Sequence, residues 1–288
     1  MTIDRSRLVS PAPGAVPASS AVLKLWGDEQ AGHVHDRIFV SNEKIQLMQF
    51  SMPPGARFGH SEAARTAMAA DELYCVLRGT LVLANPETGE VHRVEAGQAI
   101  SFGRDTWHHG FNYGTETLEV LEFFAPPPAT GSSQAYARTR PYLSSSTYVR
   151  DAWLERWGDS NDGPRPDDTQ RPVRDVLWRL EGVEEPVLVG IYLSTPQLTA
   201  GSLELLPGQR SDTLVRGGDE AGYVIEGRLN LFLPEGPDPD GPGNAWHEIG
   251  TGDAWFVPEG VPHRYFNMTG DPARALFGVA PRYRPLDA

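Results

Sequence analysis

The chain has 288 residues, 40% of them hydrophobic, and a formal net charge of −13 at pH 7. That length can bury two modest cores, and an acidic chain without a basic cluster is poorly suited to neutralising phosphates, which argues against nucleic acid as a partner. No stretch approaches the roughly 20 apolar residues that span a bilayer, and Met1 to Ser20 lacks the basic and apolar regions of a signal peptide, so the expectation is a cytoplasmic protein without membrane association.

In chain order, residues 1–20 read as a flexible segment rich in Pro, Ala and Ser, and 21–128 as a first β domain. Within that domain Ser61 is a possible cap for a short helical run, EAARTAMAA. Residues 72 to 84 read as two strands joined at Gly79, and a further strand follows at Thr117 to Phe124. Residues 129–172 change character. Ser144 to Ser146 can cap a helix starting near Thr147 that puts Val149, Trp153, Leu154 and Trp157 on one face and stops at Gly158, a strut across two domains that is followed by a Pro/Asp-rich linker. A second β domain, 173–288, repeats the strand pair around Gly227 at residues 220 to 233, carries an acidic Pro/Gly loop from Pro234 to Asn244, and ends with a strand at Arg274 to Ala280. The lone Cys75 has no partner for an internal disulfide and lies in an apolar run, as a structural thiol would.

The two β domains share a pattern. Gly97, Phe102, Gly103, Asp105, His108 and Asn112 align with Gly252, Val257, Pro258, Gly260, His263 and Asn267. Upstream, Pro54-Gly55, Asp71-Glu72 and Gly79 align with Pro207-Gly208, Asp219-Glu220 and Gly227, with six residues between glutamate and glycine in both copies. Self-similarity at a domain-sized period marks a duplicated unit.

Gly252 to Asn267 resembles the second sequence motif of the cupin superfamily, G-x5-P-x-G-x2-H-x3-N, at every fixed position, and the first copy departs from it at Gly103 and Asp105. The chain is therefore similar to a bicupin, and the resemblance implies an all-β protein: two tandem jelly-roll barrels joined by a short helical segment. It also implies that the motif glutamate and histidine point inward, so that Glu72 meets His108 in one cavity and Glu220 meets His263 in the other. Cupins host many activities, so function rests on the site.

A carboxylate and an imidazole converging in a barrel mouth are half of a metal site, since divalent Fe, Mn, Ni, Cu or Zn needs three or four such ligands. Counted forward from Gly55, the missing pair falls near His60 and Glu62. Counted backward from Glu72, it falls on Thr66 and Met68. The counts differ because the first copy holds five more residues than the second between Pro-Gly and Asp-Glu. If the extra residues follow the ligand strand, His60, Glu62, Glu72 and His108 form a metal site; if they precede it, only Glu72 and His108 remain. In the second copy both counts land within Thr213 to Arg216, where there is no histidine, so no metal is expected there, and the cavity is either structural or binds an acidic group through Arg216, Glu220 and His263. Tyr74 shares a face with Glu72 and is a candidate substrate contact, as is Trp107, whereas His109 should face away from His108.

Three functions are compatible with these residues. The resemblance implies first a metal-dependent oxidoreductase, a dioxygenase with iron in the first barrel acting on a small molecule. The second is a metal-free isomerase, cyclase or decarboxylase in which Glu72 and His108 act as an acid and base pair. The third is a small-molecule-binding bicupin without catalysis. A homodimer is an open expectation.

Overall fold

The computed structural model describes residues 9–126, 140–151, 168–234 and 245–286. Each copy is a jelly roll of two antiparallel sheets. In the first copy a seven-stranded sheet runs in the spatial order Gln170–Pro172, Ala99–Phe102, Asp71–Arg78, Leu118–Ala125, Gln46–Met52, Gly32–Ser41, Val22–Asp28. It faces a four-stranded sheet of Arg57–Phe58, His109–Asn112, Thr80–Asn85 and Glu90–Glu95. The second copy repeats this with Gly14–Val16, Ala254–Val257, Gly217–Glu226, Ala273–Arg282, Thr199–Leu205, Val187–Ser194 and Leu177–Glu181, opposed by Trp246–Gly250, Arg228–Phe232 and Arg264–Phe266.

The expected hairpins form around Gly79 at φ +79 and Gly227 at φ +73, a region that favours glycine. A Cβ at Gly227 would come 2.3 Å from the Pro272 carbonyl oxygen, so neither the backbone angle nor the space admits a larger residue.

Side-chain alternation along each central strand then sorts the chain into three cores. Phe50, Leu81, Ile100 and Phe102 fill the first jelly roll, and Leu203, Leu231, Trp255 and Phe277 fill the second. Between them lies a shared core, where Phe39, Leu47, Leu73, Cys75 and Phe123 meet Leu198, Ala200, Ala221, Phe256 and Leu276. Cys75 is buried there and its thiol is pushed up to about 12 by burial, in keeping with a structural role.

Two devices lock the copies together, and both obey the internal duplication. Each copy receives an edge strand from outside its own span: Gly14–Val16 pairs with Ala254–Val257 of the second, and Gln170–Pro172 with Ala99–Phe102 of the first. The motif aspartates reach across as well. Asp71 accepts a hydrogen bond from Thr195 Oγ1 at 2.6 Å, while Asp219 accepts from Asn42 Nδ2 at 2.8 Å and pairs with Lys44 at 3.0 Å. In each Asp-Glu pair the aspartate therefore faces the other copy and the glutamate faces its own interior.

Three sequence expectations are corrected. The leading segment, expected to be flexible through residue 20, contributes the strand Gly14–Val16 and a buried Val16 to the second copy. The run after Ser61 is not helical. Its backbone is taken up sideways by the loop before His108, with Asp105 N donating to Met68 O at 2.6 Å and His108 N to Thr66 O at 3.2 Å, and Ala67 and Ala70 are buried beneath. Residues 144–150 form no helix either. They lie along the first copy, where Thr147 N donates to Pro86 O and Arg140 pairs with Glu87 at 2.6 Å; Trp153, Leu154, Trp157 and Gly158 lie outside the described residues. No described helix is long and apolar enough to cross a membrane.

Because Phe123 anchors the shared core, Phe123→Ala is expected to cost about 3–5 kcal/mol in equilibrium urea unfolding, with both copies melting in one transition. Separate transitions in the wild-type protein would contradict a shared core.

Candidate functional site

The central strand Asp71–Arg78 turns Glu72, Tyr74 and Val76 into the first jelly roll, and Leu118–Ala125 beside it adds Glu122, the register partner of Tyr74. His108 enters from the loop that precedes His109–Asn112, whose backbone is held by Thr66. Together they line a cavity of about 60 Å³ whose other walls include Trp26, Asp36, Gln46, Phe50, Phe58, Thr66 and Met68.

The cavity is both apolar and acidic. Asp36 and Glu72 are each 2% exposed and Glu122 is 5% exposed, yet the lining has no Arg or Lys. Burial pushes the Glu72 carboxyl well above the usual carboxylate range, and Glu122, as a like charge and as a hydrogen-bond partner, pushes it further. A hydrogen bond between two carboxyls requires that one of them carry the proton, and the raised Glu72 carboxyl favours this. Burial also drives His108 down to about 4, against a weaker opposite pull from the Thr106 carbonyl. A neutral ring fits its contacts: Nδ1 lies 3.3 Å from the Thr106 carbonyl, which can only accept, and this leaves Nε2 to accept from the Tyr74 hydroxyl at 3.1 Å. Burial and the neighbouring carboxyls hold the Tyr74 hydroxyl protonated. His108 Nε2 and Glu72 Oε2 are 4.0 Å apart.

The structure thus brings Glu72, His108 and Tyr74 together and leaves the other expected residues of this copy elsewhere. His60 lies on the opposite side of the wall, in a second cavity of about 200 Å³ lined also by Arg57, His109, Tyr142 and Tyr148. Its Nδ1 is 2.6 Å from His109 Nε2 and its Nε2 is 2.7 Å from the Leu143 carbonyl, while His109 Nδ1 is 2.7 Å from the Tyr148 hydroxyl. Trp107 packs on His60 with ring centroids 4.5 Å apart and does not line the first cavity. Glu62 pairs with Arg65 near the surface. Since residues 66 to 68 run alongside the His108 loop, the five extra residues precede the ligand strand, and Thr66 and Met68 occupy the positions where two more ligands would be needed.

That donor set does not fit a resident metal. A threonine hydroxyl and a thioether replace imidazoles, and the carboxyls lie beside one another without three ligand atoms converging. Among the described residues the one group of His, Asp and Glu ligand atoms within 4.8 Å of one another is Glu90, His92 and Asp168. There Glu90 accepts from the Thr169 and Gln170 amides at 2.9 Å, and Arg150 pairs with Asp168 at 2.7 Å, so the cluster serves to fasten the donated strand Gln170–Pro172.

In the second copy Glu220, Arg216 and His263 do converge, but not on an open cavity. Arg216 Nε is 2.7 Å from Glu220 and its Nη1 is 2.7 Å from Glu181, and the guanidinium lies 4.2 Å from the Tyr283 ring centroid. Glu220 also accepts from Trp255 Nε1 at 3.1 Å and from the Tyr265 hydroxyl, with His263 Nε2 3.7 Å away. Burial alone would raise the Glu220 carboxyl, but Arg216, His263 and Tyr265 together hold it well below the usual carboxylate range. Of the two alternatives for this interior the structural one has the support, since two carboxylates already pair with the Arg216 Nε and Nη1.

Sequence reasoning missed Glu122 and Asp36. A signal was present for Glu122, an acid inside the apolar run Leu118–Ala125. Asp36 lies in a strand whose alternation is ambiguous, HVHDRIFV.

Two stability predictions follow from these charges. Arg216→Met strands Glu220 and Glu181 and is expected to cost about 3–5 kcal/mol in urea unfolding, with part of the loss recovered when Glu220→Gln is added. For His108 the folded state binds its proton less readily than the unfolded chain, so its contribution is complete above pH 6.5 and is lost as pH falls from 6.5 towards about 4. His108→Gln should therefore flatten the acid limb of the stability profile by roughly 3 kcal/mol, and an unchanged limb would contradict a buried neutral ring.

A cupin-domain family model matches residues 48–124 and 201–279. Among curated proteins none matches. Among solved structures, the chain is similar to AerE from Microcystis aeruginosa at 11% identity, covering 90% of this chain and 97% of that one with a TM-score of 0.58. It is similar to Lactobacillus farciminis oxalate decarboxylase in its formate complex at 13% identity, covering 98% and 89% with a TM-score of 0.61, and to Bacillus subtilis oxalate decarboxylase, described with Mn(II) centres, at 14% identity, covering 95% and 78% with a TM-score of 0.60. At these identities the solved structures speak for the fold, and the two matched segments coincide with the two jelly rolls: the chain belongs to the cupin family and carries two cupin domains in tandem.

Proposed function

We propose that the first cupin domain is the active site of a small-molecule enzyme that works by proton transfer without a resident metal, as an isomerase, cyclase or decarboxylase does. The observation that carries this reading is that one cavity holds a carboxyl hydrogen-bonded to a second acid beside a neutral imidazole. Glu72 is the acid, loaded by burial and by Glu122. His108 is the base, its Nε2 accepting from the Tyr74 hydroxyl and lying 4.0 Å from Glu72 Oε2. At 4.0 Å apart the two can both reach one substrate atom that stands to the side of the line between them. In this inverted pair each group starts in its reactive form, so no charge has to be created in the apolar cavity before the reaction begins.

The iron-dependent dioxygenase implied by the family resemblance has less support. His60 and Glu62 do not reach the cavity, and Thr66 and Met68 stand where further ligands would be needed. The second domain has the role of a scaffold, its interior closed by the Arg216–Glu220 network.

The test does not require the substrate to be known. Protein stripped with EDTA is incubated in D2O with a panel of small hydroxy, keto and amino compounds, and each compound is followed by mass spectrometry for solvent deuterium. The wild-type protein should label or convert one of them in EDTA. Glu72→Gln and His108→Gln should each slow this by about 10²–10⁴-fold while unfolding normally. Turnover that vanishes in EDTA and returns with Fe(II) or Mn(II) would contradict the reading, as would a bound compound that never exchanges.

A further inference from the structure

We propose that the occupant of the first cavity carries a protonated amine, seated among Asp36, Glu72 and Glu122 with Thr66 as an additional acceptor. This rests on the cavity being the small-molecule site described above, and it names the class of substrate that site takes.

The two copies supply the argument, because the fold places a charge-setting residue four positions before the motif glutamate in each. In the second copy that residue is Arg216, whose guanidinium lies 2.7 Å from Glu220 and closes the interior. In the first copy the same position is Met68, a lining residue without charge. The space an arginine head would take is left as a cavity of about 60 Å³, about two waters' share of liquid volume. That suits an ammonium group and one or two carbons.

What surrounds this space favours a cation. Three carboxyls at most 5% exposed line it with no Arg or Lys, and the sole imidazole of the lining is neutral at physiological pH. A carboxylate entering here would add a like charge in a medium that screens poorly, whereas an ammonium would offset the charge already present. The Thr66 hydroxyl points to a ligand independently of the acids. It is 2% exposed, lines the cavity, and its Oγ1 has no hydrogen-bond partner. A buried hydroxyl left unsatisfied is costly unless something enters to meet it. Around these polar groups stand the faces and edges of Trp26, Phe50, Phe58 and Tyr74, and aromatic walls with carboxyls at one end are the combination that recognises organic ammonium ions.

The experiment titrates ethylammonium chloride, sodium acetate, disodium oxalate and manganese(II) chloride separately into the wild-type protein at constant ionic strength, followed by calorimetry and by Trp fluorescence. Ethylammonium should bind and raise the thermal midpoint, with acetate, oxalate and Mn(II) giving no response. Met68→Lys, which places a tethered ammonium in the same space, should weaken ethylammonium binding about tenfold or more while leaving the unfolding midpoint at or above the wild-type value. Should Met68→Lys not fold, Thr66→Val is the second variant, expected to weaken binding with the midpoint kept. Tighter binding of acetate or oxalate than of ethylammonium, or Mn(II) binding that Glu72→Gln abolishes, would overturn the proposal. Its failure is separable from that of the proton-transfer reading: an anionic compound that exchanges deuterium in EDTA removes the amine and keeps the chemistry, and an amine that binds without exchange does the reverse.

Discussion

A carboxyl group buried in an apolar interior has to find either a cation or a proton, and the two domains of this chain resolve that constraint in opposite ways. Glu220 finds a cation. Arg216, four residues upstream, is held between Glu220 and Glu181, with Tyr265 and Trp255 donating to the remaining carboxylate oxygen. Glu72 finds a proton, because the equivalent position is Met68 and its nearest polar neighbour is another acid, Glu122. The first arrangement makes a closed interior whose integrity depends on ion pairing. The second leaves space, a bound proton and a neutral imidazole together, the elements of a reactive site.

The architecture makes this division possible. Each Asp-Glu pair sits at the start of a central strand, and the alternation of side chains sends Asp71 and Asp219 to the opposite copy while Glu72 and Glu220 turn inward. The exchanged strands Gly14–Val16 and Gln170–Pro172 pair with Ala254–Val257 and Ala99–Phe102, so the strand beside each Asp-Glu strand is itself paired on both sides. The second domain closes its interior with its own salt bridges and joins the first, which carries the buried acids, through the shared core.

Much of this could be read from the sequence. The repeated glycine, histidine and asparagine spacing gave the duplication, and Gly79 and Gly227 marked the hairpins because their backbone angles exclude other residues. Glu72 and His108 could be placed face to face from strand alternation, and His109 behind them by the same rule. The metal set could not be decided, because it hinged on the conformation of ten residues after His60. Ala-rich and preceded by a capping serine, they have the local preferences of a helix, but the loop at Asp105 to His108 takes their backbone bonds and Ala67 and Ala70 take up the buried surface. Tertiary contacts override helix propensity there, which moves His60 to the far side of the wall. Glu122 and Asp36 were missed for another reason: an acid in a strand is ordinarily the solvent-facing member of the alternation, and only Glu122, in phase with Val120 and Phe124, carried a local sign of facing inward.

The central claim is that Glu72 and Glu122 hold a proton between them at neutral pH. Infrared difference spectra between the wild-type protein and Glu72→Gln at pH 7, with glutamate isotopically labelled, test it directly through the carbonyl stretch of a protonated carboxylic acid. The account predicts such a band in the wild-type protein, shifted by the label and missing from the variant. Spectra containing only ionised carboxylate bands, with the wild type and the variant alike in the acid region, would contradict it.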